Sequence, residues 1–166
     1  MSESELLATG IVTWEDLKQA PGFPGEKRLK EGPVAVLECL QPIPCNPCEE
    51  ACPYGAISVG EPITNLPRLA EDKCRGCGLC IPACPGQAIF VVDTTHSDAE
   101  AAVSFPYEFL PAPQPGQKVT VVNRAGEAVG EGTVTKVLSP PKYDRTRVVT
   151  VAVPRELAGE VRGMAF

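Results

Sequence analysis

An α+β fold is predicted: a core of two related halves paired about a pseudo-twofold axis, preceded by an N-terminal arm and followed by a small C-terminal antiparallel β module. Three observations carry this. Sliding the sequence against itself by thirty-two residues superposes Cys45, Cys48, Ala51, Cys52, Pro53, Ala56 and Ile57 on Cys77, Cys80, Ala83, Cys84, Pro85, Ala88 and Ile89, which marks an internal repeat. The 18 prolines and 15 glycines interrupt the chain too often for long helices. Beyond residue 117 the chain turns to β-branched segments separated by turn residues.

The elements follow in order. Residues 1–32 read as an arm, in which Thr13 and Asp16 have the form of a helix start before Trp14 to Lys18. Pro21, Gly22, Pro24 and Gly25 break its continuation, and Trp14 is expected to anchor the arm on the core, with an interface role as the other reading. The core, residues 33–93, opens with Pro33-Val-Ala-Val-Leu37 as a short buried strand. Each half is then expected to run strand, cysteine loop, proline, one short helical turn, strand. Residues 94–116 read as a linker, acidic around Asp98 and Glu100 and ending in Pro111-Ala-Pro-Gln-Pro-Gly116. In 117–166, Lys118 to Val122, Gly132 to Leu138 and Arg147 to Val153 read as strands of a small sheet or barrel. Pro154 is placed to open a short amphipathic helix through Arg162.

Composition narrows the function. With 5% aromatic residues the apolar core must be modest, and eight cysteines point to covalent or metal reinforcement. Met1 to Gly10 has neither the basic region nor the apolar stretch of a secretory signal, and no apolar run approaches the roughly 20 residues of a membrane span. A cytoplasmic protein is expected, where cysteines serve as metal ligands more often than as disulfides. The net charge of −6 argues against a nucleic-acid partner and for a partner with a basic docking surface. His96 lies in a polar stretch and reads as solvated surface. There is no nucleophile motif or glycine-rich phosphate loop, so no independent catalytic site is expected.

Cys74-Arg-Gly-Cys77-Gly-Leu-Cys80-Ile-Pro-Ala-Cys84-Pro85 has the spacing for a cubane 4Fe-4S cluster. Three thiolates on one curled loop reach three irons, while Gly76 and Gly78 let backbone amides approach sulfur; the fourth cysteine, at the head of a helix, is left for another cluster. Zinc is the alternative, but tetrahedral zinc usually takes well-separated Cys-x-x-Cys pairs. In the first half Cys45, Cys48, Cys52 and Pro53 keep the spacing, but Leu-Gln-Pro-Ile-Pro separates Cys39 from Cys45. Either a three-residue insertion bulges out and Cys39 still reaches its iron, or Cys39 is a buried strand cysteine beside a three-iron or differently ligated site. Glu49, Glu50, Glu71 and Asp72 read as solvated loop residues that would also lower cluster potentials, opposed by Arg75.

From Pro33 to Asp93 the chain resembles the two-cluster bacterial ferredoxins, through Cys74-x-x-Cys77-x-x-Cys80-x-x-x-Cys84-Pro85 and the near-copy ending Cys52-Pro53. That resemblance implies a ferredoxin-like core with two 4Fe-4S clusters, in which the fourth cysteine of each motif ligates the opposite cluster. One cluster would take Cys39, Cys45, Cys48 and Cys84, the other Cys74, Cys77, Cys80 and Cys52. The arm, Phe105-Pro-Tyr-Glu-Phe-Leu-Pro111 and the β-rich tail are similar to small iron–sulfur subunits of flavin dehydrogenases of the proline, hydroxyproline or sarcosine type. The expectation is an electron-transfer subunit relaying electrons between a flavin-containing partner and an acceptor. Its rivals are a free-standing ferredoxin carrier and a zinc-stabilised interaction protein.

Overall fold

The structure, a computed structural model, describes residues 8–165; the acidic stretch before them lies outside the described residues. The arm forms as its local signals require. Helix α1 (Trp14–Leu17) starts on a capping box, with the Thr13 side chain accepting from the Asp16 amide and the Asp16 carboxylate accepting from the Thr13 amide. Trp14 packs against the core and meets Phe23 edge-on at 4.7 Å, so it anchors the arm. A second turn, α2 (Glu26–Leu29), ends the arm.

The cysteine-rich core follows as β1 (Val34–Leu37), α3 (Pro47–Glu50), β2 (Ile57–Ser58), β3 (Arg68–Leu69), α4 (Cys80–Ala83) and β4 (Ile89–Asp93). Both helical turns precede the Cys–Pro pair instead of following the proline. The residue before a proline is pushed out of the α region, and Cys84 is accordingly extended, at φ −81 and ψ 110. The halves exchange strands. β1 pairs antiparallel with β4, Leu37 opposite Ile89, and β2 with β3, Ile57 opposite Leu69. Leu37 and Leu69 are thirty-two residues apart, as are Cys45 and Cys77. The stretch from strand to loop therefore has equal length in both halves. The first half holds no net insertion; its first cysteine sits three residues nearer the strand, and Pro42 stands where the second half has Cys74.

The segment read as a linker contains β5 (Glu100–Tyr107), which lies between β4 and β8 in one seven-stranded sheet of order β1-β4-β5-β8-β7-β6-β9. The remaining strands are β6 (Lys118–Val122), β7 (Ala128–Leu138), β8 (Arg147–Pro154) and β9 (Gly163–Met164). β5 pairs with β8 over its whole length, from Glu100 opposite Pro154 to Tyr107 opposite Arg147. Its apolar residues Ala101, Val103, Phe105 and Tyr107 are all buried, and this alternation outweighs the flanking acids and Pro106. The tail is thus no detached module but the continuation of the core's own sheet.

The expected C-terminal helix is only a 3₁₀ turn, Arg155–Leu157. Gly159 follows, with space beside it filled by Trp14, and Arg162 donates its amide to the Val122 carbonyl as the chain re-enters the sheet edge. Two glycines and this pairing leave no helix to extend. One apolar cluster surrounds the cysteine loops; another, centred on Phe105, Val121, Val134 and Val149, fills the tail. No helix among the described residues is long and apolar enough to cross a membrane.

Candidate metal centres

The eight cysteines gather as two quartets. Cys39, Cys45, Cys48 and Cys84 line one cavity of about 570 Å³, and Cys52, Cys74, Cys77 and Cys80 line another of about 20 Å³. Each quartet combines three thiols from one half with the fourth cysteine of the other half. The grouping is visible electrostatically too. Burial, then the neighbouring Cys84 and Cys45 thiols, push Cys39 up, and burial followed by Cys84 pushes Cys48 up to about 11. Burial, then Cys74 and Cys77, and more weakly Cys52, raise Cys80.

The loops that hold the thiols differ. In the second, Gly76 and Gly78 adopt left-handed backbone at φ 61 and 76, and a Cβ on Gly76 would meet the Pro33 carbonyl oxygen at 2.5 Å. The matching place in the first loop is Pro44, and Gln41 to Pro44 arch outward into solvent. Backbone amides approach sulfur in both halves at equivalent positions: Ala56 donates to Cys52 Sγ at 3.3 Å and Ala88 to Cys84 Sγ at 3.4 Å. Ala35 donates to Cys74 Sγ at 3.4 Å. Such N–H groups stabilise thiolate sulfur and tune a bound cluster.

Four thiols around a cavity suit a multi-iron core. Among the described residues, no three Cys, His, Asp or Glu side chains are grouped as a single-ion site. His96 is exposed, as expected. The acidic residues divide: Glu50 and Asp72 are exposed, whereas Glu49 accepts from the Val59 and Gly60 amides and Glu71 accepts from the Gly25 amide. Those two tie loops together and are not merely solvated. Arg75 is exposed on the wall of the second cavity.

Three wall residues of the first cavity escaped the sequence reading. Glu38, next to Cys39, accepts from Arg124 at 2.7 and 2.8 Å and from Arg162 Nε at 2.6 Å. These arginines lie 86 and 124 residues away along the chain, and no local pattern links them to Glu38. Tyr143, also from the tail, lies close enough to Cys77 and Cys80 that, after burial, their charges raise its hydroxyl pKa. The tail thus meets both quartets.

Residues 38–88 match the 4Fe-4S dicluster domain family. An uncharacterized ferredoxin of Methanocaldococcus jannaschii is 40% identical over 75 residues, 40% of this chain and 43% of the relative. One subunit of the ion-translocating oxidoreductase complex of Methanosarcina acetivorans is 45% identical over 47 residues, 28% of this chain and 17% of that protein. Protein Pixie of Drosophila melanogaster is 30% identical over 106 residues, 55% of this chain and 16% of that protein. The chain thus spans less than half the length of each of these relatives. No solved structure matches it. The dicluster match and the ferredoxin relatives agree with the cavities: residues 38–88 form a 4Fe-4S dicluster domain, and the chain binds 4Fe-4S clusters.

Proposed function

We propose that the chain is the electron-relay subunit of a flavin-containing oxidoreductase, with Cys39, Cys45, Cys48 and Cys84 ligating one 4Fe-4S cluster and Cys74, Cys77, Cys80 and Cys52 the other. The observation that carries the ligand assignment is the partition of the thiols: each cavity is walled by three cysteines of one half and the fourth of the other. The strand exchange between halves supports a pseudo-twofold core. When bound, each cluster takes up and gives up one electron with little rearrangement. The chain's own residues supply thiolates, direct Ala35, Ala56 and Ala88 amides at sulfur, and exclude water with Ile81, Ile57 and Ile89, each nearly fully buried.

The subunit reading is supported by the arm and the β tail, which lie outside the 38–88 match, and by similarity to a subunit of an oxidoreductase complex. A proline-, hydroxyproline- or sarcosine-type flavin enzyme is the proposed partner class, meeting this acidic chain with a basic surface. A second reading, a free ferredoxin carrier, is favoured by the ferredoxin relatives. Oxygen-free purification should yield about eight irons and eight sulfides per chain, and gentle affinity purification from the native host should recover a flavoprotein in equal amount. Recovery of this chain alone would select the carrier. Zinc without sulfide would overturn both readings.

A further inference from the structure

The first cavity has an electrostatic feature that the second lacks. Two guanidinium groups, Arg124 and Arg162, share one carboxylate, Glu38, and their side chains are 9%, 3% and 7% exposed. Arg162 lies over the rings of Phe90 and Trp14, at 5.0 and 5.3 Å; its Nη1 donates to the Ala158 and Val161 carbonyls, and its Nη2 has no hydrogen-bond partner among the described residues. Burial lowers its pKa to about 10, which leaves it charged at neutral pH. The remaining acid acting on it, Glu160, is exposed and therefore screened.

The group therefore carries one positive charge in excess, buried, and a buried uncompensated charge is costly. The cavity that the arginines line also holds thiols able to supply a compensating charge. Cys39, Cys45, Cys48 and Cys84 line it together with Arg124 and Arg162, and an oxidised cubane with four thiolates carries a formal charge of about −2. Around the second quartet the comparable cations are differently placed: Arg75 is exposed, and Arg28, half-buried, spends its donors on the Glu71, Gly32, Pro33 and Cys74 carbonyls.

We infer that the C-terminal β half tunes the cluster of the first cavity, Arg124 and Arg162 holding its reduction potential up against the opposing Glu38 carboxylate. Reduction adds negative charge to that cluster, so a fixed positive charge lining the same cavity stabilises the reduced form, and removing it lowers the potential. Both arginines are positioning residues: they touch Glu38 and the cavity wall. The inference rests on the ligand sets proposed above.

The test is a potentiometric titration, followed by electron paramagnetic resonance, of the full chain with its clusters, as parent, Arg124→Gln, Arg124→Lys and Glu38→Gln. Arg124→Gln should move one reduction wave to lower potential and leave the other in place. Arg124→Lys should stay near the parent, and Glu38→Gln should move the same wave upward. The wave that moves should be the one altered in Cys45→Ala. Shifts of one sign in Arg124→Gln and Glu38→Gln, no shift, or equal shifts of both waves would overturn the inference. Should Glu38→Gln fail to fold, the Gln–Lys comparison at Arg124 decides alone. Metal analysis of the parent separates the two levels: without about eight irons and eight sulfides the ligand sets themselves fail, whereas clusters present and unmoved reject the tuning alone.

Discussion

The two cysteine repeats end on the same Cys–Pro pair and run the same distance from strand to loop, yet one closes around a cavity of about 20 Å³ and the other opens to about 570 Å³. The difference lies in where the first thiol sits and in what forms the wall. Cys74 follows a turn and points into a loop kept tight by two left-handed glycines; Cys39 leaves the end of β1 directly, and the loop beyond it arches away. The room so created is walled by side chains from the arm and the tail. A cysteine spacing can therefore drift within a repeat of constant length when distant residues take over the wall.

The most drastic way to break the comparison is to remove one thiol from each quartet. Cys80→Ala should cost the second cluster and bring iron from about eight to about four per chain, whereas Cys39→Ala should lose about one iron and give a three-iron signal in the oxidised protein. Iron and sulfide analysis with electron paramagnetic resonance reads both. A Cys39→Ala protein that keeps two intact cubanes would remove Cys39 from the ligand set.

Next in size is the junction between core and tail. Phe105, fully buried in β5, should cost about 3–5 kcal/mol on truncation to alanine. Because β5 joins the two regions in one sheet, cluster absorbance and far-ultraviolet circular dichroism should fall in one transition on denaturation. Two separated transitions would restore an independent tail module.

The loops themselves come third. Gly76→Ala should destabilise by about 2 kcal/mol or more, since it forces a Cβ against the Pro33 carbonyl at a positive φ, while Pro44→Ala at the matching place should cost under about 1 kcal/mol. Denaturant titration of the cluster-loaded protein measures the pair; equal costs would show that the second loop is no tighter than the first. The smallest effect is expected at the arm, where Thr13→Ala removes the α1 cap and should cost about 1 kcal/mol without moving either cluster signal.

What could be read along the chain was local. The Thr13 cap, β1, the three tail strands and both cysteine loops each announce themselves within a dozen residues, because capping, alternation and ligand spacing act between near neighbours. β5 was hidden by its own flanks, Glu100 and Pro106, although Ala101, Val103, Phe105 and Tyr107 alternate through them. The expected helix after Pro154 failed for a different reason, because residues after the first turn are claimed by pairing with β6.

By itself, then, the sequence determined the metal chemistry: eight thiols in two proline-terminated runs, in an acidic chain with a modest core. Only the tertiary structure decided that the tail extends the core's sheet, that Cys39 is shifted rather than displaced by an insertion, and that Glu38 faces Arg124 and Arg162. Those outcomes depend on strand register and on contacts between residues as many as 124 positions apart, which chain folding sets and local pattern does not encode.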